Sequence, residues 1–481
     1  MNAPAKLAIT LLMLCTHFVY ASDTEDFLNK LKSHYKDTLH INAFSLNHHF
    51  LNKRYRGKNY WDFNMPNRAM SIRTVEIDLE RKHYYDNDIL YFPGGLLYDR
   101  VQFQNDTEGY FYEKSGVFLG KAIIKQDMNR FDAVASYLVM KLDFMAVRPL
   151  LEEEEEEEEE VAKQVEIKNI KEANTTLVTH SLPDGKTVEY LFNNQPFQLK
   201  SVKHSPLNGY FEYKDYKTTR GINYARVVHQ HYNGATVPQY VTYNDSFNVI
   251  KQVDPNHFVL PKGYDTELVR GDGILFATKL SKDLHLITDS GGRLNSVLKI
   301  NGDKITAFGA SNNKELAEQI LKFIENYFPN KKLDSVHVSH PHADEISGLS
   351  TYAKEGVTIL ADQYTISAIK ANEPFKKEID SVKFKPINNE QTIDGTTFYV
   401  LETMRSKRQS FVYFKEAGVV FQSDFLHIPF DGYIPEVIPN YTRTFIDLLR
   451  DKQLNLKRII SNYGHNNITI EMMDEAYNAL M

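Results

Sequence analysis

Residues 337 to 349 read His-Val-Ser-His-Pro-His-Ala-Asp-Glu-Ile-Ser-Gly-Leu, the densest chemical signal in the chain. The run Ser335, Val336, His337, Val338 has the character of a buried strand ending. His340, His342 and Asp344 then recur at alternate positions, with Glu345 beside them and Gly348 beyond. Such a pattern predicts a loop at the edge of a sheet that gathers polar side chains at one point. A single loop histidine is ordinarily solvated; four candidate ligands within six residues are not ordinary. Two imidazoles and a carboxylate suit the borderline-soft, mixed nitrogen and oxygen preference of Zn²⁺ or a similar divalent ion.

These residues resemble the metallo-β-lactamase superfamily, whose pattern is H-x-H-x-D-H followed by a glycine. Here it stands as His340-Pro-His342-Ala-Asp344-Glu345 with Gly348 three beyond, so the last histidine is replaced by glutamate. The resemblance covers residues 266–481 and implies an aspartate at the end of a later strand, which Val419-Val-Phe-Gln-Ser-Asp424 supplies. It also implies a late Gly-His pair after a strand, matched by Gly464-His465. The remaining histidine is missing. Spacing to Phe411-Val-Tyr-Phe puts its position on Arg405, with Met404 one residue away, and a guanidinium repels a cation.

The resemblance therefore implies a degenerate site. Its metal ligands are His340, His342, Asp344, Asp424 and His465, with Asp344 or Glu345 shuttling protons and Arg405 holding an anionic substrate group. The implied cofactor is one zinc ion, with two as the fuller complement and the harder Mn²⁺ or Ca²⁺ as substitutes favoured by the extra oxygen ligand. The implied activity is hydrolysis of an ester, amide or phosphoester by a metal-activated water. The alternative is a catalytically inactive envelope binding or scaffold protein whose pocket Arg405 closes and which holds no metal. No Gly-x-Ser-x-Gly elbow, phosphate loop or cysteine beyond residue 15 offers a rival chemistry.

Along the chain, residues 1–21 read as a signal peptide: Lys6, the apolar run Leu7 to Val19, and Val19-Tyr20-Ala21 as a cleavage site. Export, to a periplasm or to the outside, is the expected destination, and no segment beyond it is long enough for a permanent membrane span. The single cysteine, Cys15, falls within that signal. Residues 22–151 open with a helix carrying Phe27, Leu28, Leu31 and Tyr35, continue as strands, and close with a helix from Arg130 to Val147. Residues 152–160 are nine consecutive glutamates, a self-repelling linker. Removing those nine turns the formal charge of −7 into +2, and no basic stripe remains to argue for nucleic acid.

Residues 161–265 are short alternating strands divided by turn signals such as Asp184-Gly185 and Asn233-Gly234. Together with 22–151 they resemble the open, curved sheets that carry lipoproteins in bacterial envelopes, a likeness without a sharp motif. From 266 to 481, strands, a helix and strands again succeed one another twice. The fold class is thus α+β: a β-rich N-terminal module followed by a four-layer αββα sandwich. The substrate, small molecule or envelope component, and the oligomeric state have no motif in the sequence.

Overall fold

The computed structural model describes residues 24–479 apart from 53–59, 66–68, 93, 152–163, 206–208, 233, 270, 373–374 and 377–378. The expected signal peptide and glutamate linker lie outside the described residues. Among the described residues, no helix is long and apolar enough to cross a membrane.

The N-terminal half is one open sheet of fourteen strands. Two antiparallel meanders build it, one running from Ala43–Asn52 to Ala122–Lys125 and the other from Val165–Ile170 to Tyr240–Val249. Their seam is the pairing of Ala43–Asn52 with Tyr240–Val249, the first strand of one with the last of the other. Leu46, Val75, Ile77, Val178, Phe192 and Tyr224 form the core on one face of the sheet, against Leu31, Phe131, Leu138 and Phe144 from the helical segments.

The helix expected over 130–147 is broken. It runs Arg130–Val139, resumes as Asp143–Ala146 after an extended Leu142, and ends in a 3₁₀ turn at Arg148–Leu150. Tertiary hydrogen bonds pin the interruption. The buried Asp143 carboxylate accepts from the Ala225 amide (2.8 Å) and the Tyr35 hydroxyl (3.0 Å), and Asn244 donates to the Lys141 carbonyl (2.7 Å). The first sheet also extends slightly past residue 265, because Thr266–Glu267 pairs in parallel with Ala122–Lys125 at its edge.

The C-terminal half is four-layered. A seven-stranded sheet takes the order Leu275–Lys279, Leu284–Asp289, Asn295–Asn301, Lys304–Phe308, Lys332–His337, Thr358–Asp362, Lys383–Ile387; its last four strands are parallel. A five-stranded sheet runs from Gln391–Ile393 to Arg458–Ser461. Leu284, Val297, Phe308 and Leu360 of the first sheet pack against Phe398, Val412, Phe421 and Ile460 of the second, forming the inner core. On the outside of the first sheet lies the amphipathic helix Lys314–Tyr327, capped by the Asn313 side chain accepting from the Leu316 amide at 2.7 Å. Its Leu316, Ile320 and Ile324 face Leu298, Ile305 and Val336. Helices Asn440–Asp451 and Ile470–Asn478 cover the second sheet through Phe445, Ile446, Met473 and Ala476. This is the αββα arrangement expected from sequence, and its strand ends place the site.

Candidate metal centre

Strand Lys332–His337 ends beneath the histidine loop, which is tied to the second sheet by the Ser410 amide donating to the Ser339 carbonyl at 2.8 Å. His340 and His342 emerge from this loop fully buried. Strand Val419–Gln422 delivers Asp424, which adopts a left-handed backbone conformation (φ 64°) rare outside glycine. One nitrogen of each imidazole and one Asp424 oxygen lie within 4.8 Å of one another. His340 Nε2 is 2.9 Å from His342 Nδ1 and 3.6 Å from Asp424 Oδ2.

The tautomers can be read from the partners. His342 Nε2 lies 2.8 Å from the Tyr60 carbonyl oxygen, which only accepts, so this nitrogen carries the proton and Nδ1 presents a lone pair to the cluster. A backbone carbonyl on one ring nitrogen and a lone pair on the other is the usual arrangement of a metal-ligating histidine; here that lone pair faces His340 Nε2 at 2.9 Å. His340 Nδ1 is held by Ser339 Oγ at 2.9 Å. The donor set of His340, His342 and Asp424 fits one divalent ion of borderline softness.

Arg405 is the counterweight. Its guanidinium donates to Asp424 Oδ2 at 2.9 Å, and the two residues are only 3 % and 7 % exposed. Burial alone would raise the Asp424 carboxyl, but Arg405, then His427 and His340, hold it well below the usual carboxylate range. Burial lowers His340 to about 4, with Asp424 opposing and Arg405 adding. His342 is likewise held well below its ordinary value by burial, then by His340 and Arg405. Both imidazoles are therefore neutral near pH 7, as ligands must be.

The other residues singled out in the sequence lie differently. Glu345 is buried under the cluster, its two oxygens accepting from Ser339 Oγ (3.1 Å) and Ser423 Oγ (2.9 Å). Burial first, then Asp424 and Asp344, raise its carboxyl well above the usual range, while the two serine hydroxyls oppose that shift. Asp344 is half-buried and lies outside the three-residue group. A short helix, Ala343–Ile346, starts right after His342, which breaks the strand-like alternation that would have aligned residue 344 with 340 and 342.

His465 also lies outside the group. Half-exposed, its Nδ1 accepts from the Asn467 amide (3.1 Å), and the charges it senses are Arg458 and Asp431 rather than the cluster. The glycine before it has a packing reason of its own. Gly464 sits at φ 94°, and a Cβ there would come within 2.5 Å of the Ile428 carbonyl oxygen.

Sequence reasoning missed the N-terminal module's part in the site. Tyr60 caps His342, with ring centroids 5.0 Å apart, and its hydroxyl also bonds the Pro341 carbonyl. Trp61 Nε1 donates to the Thr403 carbonyl (2.8 Å), the Lys407 amide to the Trp61 carbonyl (2.9 Å), and Lys407 Nζ to Asp62 (2.8 Å). Tyr98 senses both Arg405 and Asp424; its hydroxyl is raised well above its ordinary range, by burial above all. On the far side His427, lowered to about 4 chiefly by burial, bonds Tyr441 at 3.1 Å and meets Phe118 edge-on at 5.3 Å. The D-x-x-H spacing of Asp424 and His427 was the one local signal for any of these.

Over part of its length the chain is similar to solved metallo-β-lactamases. One from Pseudomonas aeruginosa in its mono-zinc form is 12 % identical, with 43 % of this chain and 94 % of that one covered and a TM-score of 0.33. Those from Hirschia baltica and Pontibacter korlensis are 14 % and 15 % identical, cover 43 % of this chain and 97 % and 99 % of theirs, and give TM-scores of 0.34. No protein-family model and no curated relative matches the sequence.

Proposed function

We propose that the C-terminal half is a metal-dependent hydrolase of the metallo-β-lactamase type, holding one divalent ion, zinc foremost, on His340, His342 and Asp424. The supporting observation is the convergence of two neutral buried imidazoles and one ionised carboxylate, with His342 already in a ligating tautomer. An ion so held would bring its water toward neutrality and polarise a carbonyl or phosphoryl oxygen of an ester, amide or phosphoester. Asp344 would take the proton, as the more exposed of the two adjacent carboxylates. Arg405 keeps Asp424 ionised and would hold an anionic substrate group. The reading includes export, on the strength of the first twenty-one residues.

A second reading rests on the Arg405–Asp424 contact alone. A buried guanidinium gives that carboxylate a permanent counter-charge, which suits a catalytically silent binding protein. Zinc content separates the two. The hydrolase reading expects bound zinc to fall by one ion per chain in His340→Ala, together with hydrolysis of ester or phosphoester probes. Equal zinc in both proteins after loading, with no hydrolysis, supports the silent reading.

A further inference from the structure

The N-terminal sheet carries a second cluster, far in sequence from the first. Hairpin strands Gly209–Thr219 and Ile222–Tyr232 pair so that Glu212 stands directly opposite His229. His231, two residues on, shares that face. It is the face opposite the helical core, since Tyr213 and Val228 point into that core. The Glu212 carboxylate and one nitrogen of each imidazole lie within 4.8 Å of one another.

His231 makes the cluster more than a surface coincidence. It is only 2 % exposed, stacked flat on Tyr210 with ring centroids 4.3 Å apart. Its Nδ1 lies 3.0 Å from the Ala235 carbonyl oxygen and must be the donor there. A neutral ring then has a bare lone pair on Nε2, which is buried without a hydrogen-bond partner and faces Glu212 Oε2 at 3.4 Å. A lone pair set against a carboxylate is repulsive unless something positive stands between them. His229 Nδ1 is 3.6 Å from the same oxygen and accepts from Lys214 Nζ at 3.3 Å, while Lys214 also reaches Glu212 at 2.9 Å. The exposed lysine thus brings its ammonium to the place where a cation would bind.

We infer that Glu212, His229 and His231 form a second divalent-cation site, selective for zinc or a similar borderline ion and open to water in its remaining position. Ligand atoms around a tetrahedral ion, with bonds of about 2.0–2.1 Å, stand about 3.4 Å apart. The two separations from Glu212, 3.4 and 3.6 Å, match this spacing, and only the Lys214 ammonium has to leave. Two imidazoles to one carboxylate exclude a preference for calcium or magnesium. The backbone carbonyl behind His231 supplies the outer hydrogen bond such ligands need. Bound there, an ion would cross-link the two strands and, through Ala235, the loop that follows them.

The test uses the full chain with His340→Ala, so that zinc at the first centre is out of the count and failure at one site is not failure at the other. Competition with a chromophoric chelator should show one zinc ion per chain. His229→Ala, at a partly exposed position, and His231→Gln should each weaken it by more than about 100-fold, beyond the 10–100-fold that losing an outer partner costs. Lys214→Gln should tighten binding several-fold by removing the competing ammonium. A parent that takes up no zinc, or zinc uptake unchanged by His229→Ala, overturns the site; in that case a proton on His231 Nε2 bridges the pair.

Discussion

Arg405 donates to Asp424 Oδ2 at 2.9 Å, on the same oxygen that stands 3.6 Å from His340 Nε2. One carboxylate oxygen is thus shared between a fixed cation and a would-be ligand set. Removing one partner of a buried pair leaves the other charge uncompensated, at a cost of about 3–5 kcal/mol. Arg405→Ala should therefore lower the melting temperature of the metal-free protein sharply. Zinc should restore much of the loss, because the ion replaces the lost counter-charge. Calorimetric scans with and without zinc check this; a loss that zinc leaves untouched would mean that Asp424 is no ligand.

The Glu345 carboxyl, raised well above its usual range, sits between two serine hydroxyls, so Glu345→Gln should change stability by less than about 1 kcal/mol. Glu345→Ala should cost about 1–3 kcal/mol, since Ser339 and Ser423 lose a partner. Urea unfolding of both variants distinguishes them. A large effect of the glutamine variant on zinc content would show that an ionised Glu345 binds the metal.

Burial lowers His337 to about 3 and is the largest cause in holding His340 and His427 at about 4, against about 6.5 in the unfolded chain. Between these values the unfolded chain binds more protons than the folded one. Stability from these residues is thus complete above pH 6.5 and is lost as pH falls toward 4. Glu345, with its raised carboxyl, works in the opposite direction. Replacing His337, which bonds Ser410 Oγ at 2.8 Å, by glutamine should flatten the decline of the unfolding midpoint between pH 6.5 and 4. An unchanged slope would mean His337 stays accessible to protons in the folded state.

Trp61 is the only tryptophan and lies one residue from the carbonyl that holds His342. Its emission therefore reports on the cap. Lys407→Ala removes the ammonium bound to Asp62, and it should shift that emission to the red and speed zinc exchange with a chelator. Identical spectra would show that the segment stays seated without this ion pair.

The layered fold was legible because its period-2 strands and the 3.6-residue stripe of Leu316, Ile320 and Ile324 are local patterns. His340, His342 and Asp424, which the structure brings together, follow closely on strands Lys332–His337 and Val419–Gln422, so their polar chemistry stands out against the apolar runs before them. Asp344 misleads because a helix begins between it and His342, and no spacing rule shows where alternation stops. The Gly464-His465 pair misleads because Gly464 answers to the Ile428 carbonyl, a packing demand that looks like a ligand motif. The Tyr60 cap had no local signal at all. Glu212, His229 and His231 carry no local signal, since their convergence needs the hairpin register.

The Tyr60 carbonyl that orients His342 lies 282 residues before it in the chain. Strand Ala43–Asn52, just ahead of that tyrosine, acquires its second neighbour only from Tyr240–Val249. A ribosome would thus have released nearly the entire polypeptide before either half of this centre met the other. Chains terminated before Asp424 lack the carboxylate of the cluster and cannot assemble the pocket.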